Sequence, residues 1–225
     1  MYNKSRITIL FLIFAIFQAN ILGSGVTSAE KSYVLFGTRY ESLDVDHFRI
    51  VYNESEIDIA KIAKFLELSY GHFHSVFGEF GFELKEPFDK LGWLVFSDRA
   101  VFSRYAYETE KQDLSHLGGY YSGKTNLVTI LTPEQISSVE IHRDSRRGGD
   151  IIACGPDSET DLAKVAHEAG HQLSFNLGLQ KRRVMYPLWA SEGLAMFFER
   201  SFLSEHFASH SYTRIRAKRL VELYD

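Results

Sequence analysis

The chain has 225 residues, enough for one well-built hydrophobic core and a second, smaller one. Its 25 Lys and Arg against 29 Asp and Glu give a net charge of -4, which argues against the strongly basic surface that nucleic-acid binding requires. Hydrophobic residues at 45% and charged residues at 24% are ordinary globular proportions.

The chain begins with a targeting pattern. Lys4 and Arg6 precede the apolar run Ile7–Phe17, and a small-residue stretch ends in Thr27-Ser28-Ala29. This is the charged, apolar and cleavable layout of a secretory signal peptide over residues 1–29. A membrane needs about 20 apolar residues to be crossed by a helix, and the run is shorter. An uncleaved anchor, extended through Ile21-Leu22, is the alternative. In both cases residues 30–225 are expected outside the cytoplasm, secreted or in the cell envelope, as a single domain. Cys154 is the only cysteine, so no intrachain disulfide can form. As a thiolate it could cap a metal; the plainer reading is a small buried or loop residue.

Glu30–Leu43 reads as a short lead-in. Phe48–Tyr52 alternates as a strand. Asn53 or Ser55 is placed to cap a long helix, whose apolar stripe is Ile59, Ile62, Ala63, Leu66, Tyr70 and Phe73. Gly78 and Gly81 end it. His72 and His74 lie on that helix two apart, so they point in different directions and make poor co-ligands of each other. Leu91–Phe96 reads as a buried strand, and Ser97 as the cap of a helix over Asp98–Tyr107. GGYYS and Asn126–Leu131 read as a hairpin across Gly123-Lys124. One of its strands is a candidate edge for pairing an extended peptide, lined by Tyr120 and Tyr121. Pro133 opens a short helix, and Ile141–Pro156 reads as a loop. The basic runs Arg143–Arg147 and Arg214–Arg219 read as a solvated loop and a solvated helix face.

The stretch Asp161–Glu199 carries the chemistry. Thr160 or Asp161 caps a helix whose apolar face is Leu162, Val165, Ala166, Ala169 and Leu173, with a stop at Asn176 and Gly178. On it lies His167-Glu168-Ala169-Gly170-His171. Histidines four apart share a helix face, one turn above the other, and two neutral imidazoles so placed can grip one zinc ion. Glu168 is rotated about 100° from His167, beside the metal and free to handle a proton. Pro187 begins a second helix, to about Phe202, that carries Glu192. An antiparallel return lets that carboxylate reach the metal as third ligand. Glu199 is seven residues on, on the same face, where it could accept the free N–H of a ligand histidine; the plainer reading is a surface carboxylate. Gly193 and Ala195 suit close packing of the two helices. A last helix covers Thr213–Tyr224. Strands first and helices afterwards indicate an α+β fold: a small N-terminal mixed β-sheet with helices, then a helical half that carries the site.

HEAGH followed by W-A-S-E-G-L-A resembles the gluzincin group of zinc metallopeptidases. HEAGHQLSFNLGLQ, Pro187-Leu188-Trp189 and SEGLAMFFE, with HFRIVYN, VFSRYAY and GGYY upstream, are similar to uncharacterised secreted bacterial proteins with a peptidase-MA-like domain. The resemblance implies a zincin-like second half, His167, His171 and Glu192 as zinc ligands, and Glu168 as general base. It also implies hydrolysis of peptide bonds in a peptide or protein substrate by zinc-activated water. Gluzincins place a Tyr or His downstream of the glutamate ligand to stabilise the oxyanion; the late residues here are His206, His210, Tyr212 and Tyr224. The competing expectations are a zinc-binding envelope module with little or no turnover, and a hydrolase of other bonds using the same metal.

Overall fold

The computed structural model describes residues 33–53, 58–132, 136–144, 149–182 and 184–207. The signal segment 1–29 and the helix expected over Thr213–Tyr224 lie outside them. The chain divides into two compact units, one within Met1–Ile57 and Phe88–Leu131, the other within Asp58–Pro87 and Thr132–Asp225. Strand-rich and helix-rich parts make an α+β protein, as the order of elements indicates.

The first unit is built on a six-stranded sheet. Its strands are β1 (Tyr33–Leu35), β2 (Thr38–Asp44), β3 (Phe48–Asn53), β4 (Leu91–Phe96), β5 (Gly119–Ser122) and β6 (Leu127–Leu131), in the order β1-β2-β3-β4-β6-β5. The pairs β1/β2, β2/β3 and β5/β6 are antiparallel; β3/β4 and β4/β6 are parallel, so the sheet is mixed. Every residue of β4 is buried, which explains its unbroken apolar sequence LGWLVF. The helix of this unit among the described residues, α2 (Arg99–Glu110), is capped by Asp98, whose carboxylate accepts from the N–H groups of Ala100 (2.6 Å) and Val101 (3.0 Å). Asp98, not Ser97, is therefore the cap; Ser97 is occupied with Asn53. Phe102, Tyr105 and Ala106 of α2 are buried in a cluster with Tyr40, Leu94, Phe96 and Tyr120.

The lead-in expected over residues 30–43 is instead largely strand. Phe36 and Gly37, at φ 52° and 83°, turn β1 directly into β2. The signal was weak because β2, TRYESLD, buries only Tyr40; backbone pairing with β3 makes the strand. β5 is an edge of the sheet and β6 is interior. Tyr120 points into the core, 6.0 Å from the Phe102 ring, while the Tyr121 hydroxyl bonds Asn126 at 2.9 Å.

The second unit contains α1 (Ile59–Glu79), a 3-10 turn at Ile136–Ser138, the hairpin β7 (Glu140–Asp144) and β8 (Gly149–Ala153), then α3 (Pro156–Asn176) and α4 (Leu188–His206). Asp58 caps α1 by accepting from Lys61 N–H. The expected stripe is its buried face: Ile62, Ala63, Leu66, Tyr70 and Phe73. Pro133 itself lies outside the described residues.

The loop expected over Ile141–Pro156 is corrected: it holds β7 and β8, paired antiparallel with Ile141 opposite Ile152. β7 reads EIHRD and has no buried residue, so it shows no alternation of apolar and polar positions. Only Ile151 and Ile152 of β8 are buried. Pairing and packing, not pattern, make this hairpin. Helix α3 also starts earlier than Thr160, at Pro156 after the cap residue Gly155. A proline in the first turn has no N–H to leave unpaired, so one more turn is added at no hydrogen-bond cost. The helix ends at Asn176, and Gly178 takes the left-handed turn at φ 96°. Pro187 stands at the cap of α4 rather than inside its first turn. Among the described residues no helix is long and apolar enough to cross a membrane.

Candidate metal centre

Helices α3 and α4 pack closely, and the approach is set by Gly170. A Cβ on it would stand 3.0 Å from Phe198 Cδ1 and 3.3 Å from Ala195 Cα. Ala195 fills the closest-packing role expected of it. Gly193 does not, because nothing lies within 4 Å of where its Cβ would be; Gly170 is the residue that was missed. The signal for Gly170 was available: a glycine in a helix interior costs about 1 kcal/mol against alanine, and close approach is its common reason.

The buried face of α3 is Leu162, Val165, Ala166, Ala169 and Leu173. This seats the helix so that His167 and His171 project together, ring centroids 4.9 Å apart and nearly perpendicular at 84°. Opposite them on α4 is Glu192. Its Oε2 lies 3.2 Å from His167 Nε2, and its Oε1 lies 3.4 Å from His171 Nε2. One carboxylate therefore faces both imidazoles. The three side chains bring ligand atoms within 4.8 Å of one another. The Glu192 side chain is 42% exposed, while those of His167 and His171 are 15% and 11% exposed, so the cluster opens to solvent on the carboxylate side.

Glu199 stands behind His167. Its side chain is 5% exposed, and its Oε2 accepts from His167 Nδ1 at 3.1 Å. That bond assigns the proton to Nδ1 and turns Nε2 towards Glu192. Burial alone would lower the His167 pKa; hydrogen bonds to Glu192 and Glu199, with the charges of Glu168 and Glu199, outweigh it and hold it up to about 9. The same two imidazoles hold the Glu192 carboxyl far below the usual carboxylate range. The surroundings of these nitrogens therefore favour positive charge. Glu168, half-buried on α3, contributes to that field.

The donor set can be tested against zinc. Ligand atoms about 2.1 Å from a tetrahedral ion stand about 3.4 Å from each other. The two nitrogen–oxygen separations here, 3.2 Å to Glu192 Oε2 and 3.4 Å to its Oε1, are of that size, each imidazole facing a different oxygen of the one carboxylate. Two imidazoles and one carboxylate also suit zinc chemically and leave one corner of the tetrahedron for a water or substrate. A buried carboxylate on the outer nitrogen of a ligand histidine is the usual support for such a site.

Other residues singled out from the sequence lie elsewhere. The His206 ring packs 5.2 Å from His72 and 4.6 Å from Phe202. His210, Tyr212 and Tyr224 fall outside the described residues. No cysteine belongs to a ligand cluster among the described residues. The Cys154 thiol is pushed up to about 11, by burial and then by Glu159, so it is protonated at neutral pH. His74 stacks on Tyr70 at 4.7 Å. His72 and His74 share no ligand cluster among the described residues; the neighbours of His72 are Ser201, Phe202, Glu205 and His206 at the end of α4.

The architecture is thus an α+β protein with a two-histidine, one-carboxylate cluster shared by two helices. Residues 161–225, which include most of α3 and all of α4, match the family described as protein of unknown function (DUF1570). No curated protein and no solved structure matches the chain.

Proposed function

We propose that this chain is a secreted zinc-dependent metallopeptidase of gluzincin type. The observation that carries the reading is the single Glu192 carboxylate facing the Nε2 atoms of both His167 and His171, with Glu168 between them on the same helix. In this reading His167, His171 and Glu192 hold the ion. Bound there, zinc would polarise a carbonyl and make water acidic enough to attack it near neutral pH. Glu199 holds His167 in the tautomer that offers Nε2 and supports the basicity of that nitrogen. Glu168 takes the proton from the attacking water and delivers it to the amine that leaves, which balances the hydrolysis. The Glu192 side chain is 42% exposed, so the cluster can be reached from solvent.

The test is cleavage of a broad peptide library by the purified mature protein. We expect defined cleavage products, their loss on chelation, their return with zinc, and their loss in Glu168→Gln with zinc still bound. Zinc binding without any cleavage supports the binding-module reading instead. Cleavage of esters alone supports a hydrolase of another class. Full activity in Glu168→Gln contradicts the mechanism.

A further inference from the structure

A second histidine and glutamate cluster lies in the helical unit, formed by His72 on α1 with Glu205 and His206 at the end of α4. We propose that these three residues form a second, structural site for a divalent transition-metal ion, tying α1 to the end of α4.

The two imidazoles are set as metal ligands are. His206 Nδ1 donates to the backbone carbonyl of Asp150 at 3.0 Å. That leaves Nε2 as the nitrogen with the lone pair, and it is buried with no hydrogen-bond partner. His72 Nε2 stands 2.9 Å from Ser201 Oγ, and its Nδ1 is likewise buried without a hydrogen-bond partner. The His72 side chain is 1% exposed. A buried polar nitrogen without a hydrogen bond is destabilising, so two at one place call for an explanation. In each ring one nitrogen is anchored by a neighbour; the other makes no hydrogen bond on His206 and faces only the Glu205 carboxylate on His72, the arrangement that orients histidine on a metal.

Glu205 completes the set. Its Oε2 lies 3.3 Å from His72 Nδ1, and its side chain is 64% exposed. The ligand atoms of the three residues lie within 4.8 Å of one another. The residues line a surface recess of ≈ 330 Å³ that also contains Glu67, Asp150 and Arg143. Asp150 is paired with Lys64 at 3.5 Å. The recess gives an ion a path from solvent, and Glu205 is part of its lining. Two imidazoles and a carboxylate select a zinc-like ion over calcium or magnesium, which prefer oxygen ligands.

The site is independent of the proposed peptidase centre, and its test is built that way. Metal-stripped full-length His171→Ala, in which the first cluster is broken, is titrated with Zn²⁺ alone and with Co²⁺ alone. We expect about one equivalent bound, cobalt absorption bands in the visible, and a zinc-dependent rise in melting temperature, since a ligand held only by the folded state stabilises it. His171→Ala/His206→Ala, checked for folding by circular dichroism, is expected to lose all three. Glu205→Ala, at an exposed position in the same background, is expected to bind at least about tenfold more weakly. No bound ion in folded His171→Ala, or unchanged binding in both further variants, overturns the proposal. If the first cluster does not bind zinc, the wild type binds one equivalent that His206→Ala removes and His171→Ala does not.

Discussion

Helix α4 carries two clusters of the same composition, and they differ in what satisfies them. At its start, Glu192 and Glu199 face His167 and His171, and carboxylates surround one imidazole on both sides. At its end, His206 and His72 present bare nitrogens and share one exposed carboxylate. Glu192, Glu199 and His206 are spaced by sevens, so they lie on one face of the helix, each step rising about 10 Å. The first cluster raises its histidine pKa and the second lowers it. Carboxylate count and burial decide this, not residue type. In the proposed reading the first holds a cation with a corner open to solvent, and the second acts as a structural clamp.

This contrast can be broken by substitution. The largest effect is expected from Glu168→Gln, which leaves the three ligands in place. Loss of the general base is expected to slow peptide hydrolysis by about 10²–10⁴-fold or more, with zinc content unchanged, as read by steady-state kinetics and metal analysis. Next is Glu199→Gln. It keeps the shape of the side chain but weakens the bond to His167 Nδ1, and zinc affinity is expected to fall about 10–100-fold by competition with a chelator. A third is Gly170→Val, which places carbon where Phe198 and Ala195 already stand. Overpacking of this kind costs about 1–3 kcal/mol, measurable by denaturant unfolding, and it is expected to weaken zinc binding by separating α3 from α4. The smallest is Cys154→Ser. The thiol belongs to neither cluster, so stability is expected to change by less than about 1 kcal/mol and zinc content not at all. A loss of zinc in Cys154→Ser would place the thiol at a metal and undo the division drawn here.

Much of the fold was legible where pattern is local. The stripe of α1, the run of β4, the hairpin β5/β6 and the two helices of the first cluster all follow from periodicity; the expected caps do not hold, since Asp58, Asp98 and Gly155 stand at the cap positions instead of Asn53 or Ser55, Ser97, and Thr160 or Asp161. Periodicity also allows the pairing of Glu199 with His167, because a spacing of seven from Glu192 keeps both on one face. What was not legible depends on partners far along the chain. β1 and β2 lack alternation, and β7 has no buried residue, so only their backbone pairing makes them strands. Gly170 shows its purpose only when α4 is laid against α3. His72 and His206 are 134 positions apart by their numbers, and no local rule joins them. HEAGH is legible because both of its histidines come from one turn of helix. The second cluster draws on two helices and on a carbonyl of β8.

The most direct test of the central claim is zinc-edge X-ray absorption on the full-length His206→Ala variant, in which only the first cluster can hold an ion. The account predicts one zinc with two imidazole nitrogens and at least one carboxylate oxygen at about 2.0–2.2 Å, and loss of the imidazole signal in His167→Ala/His171→Ala. A variant that is folded and binds no zinc, or zinc without imidazole ligands, would contradict it.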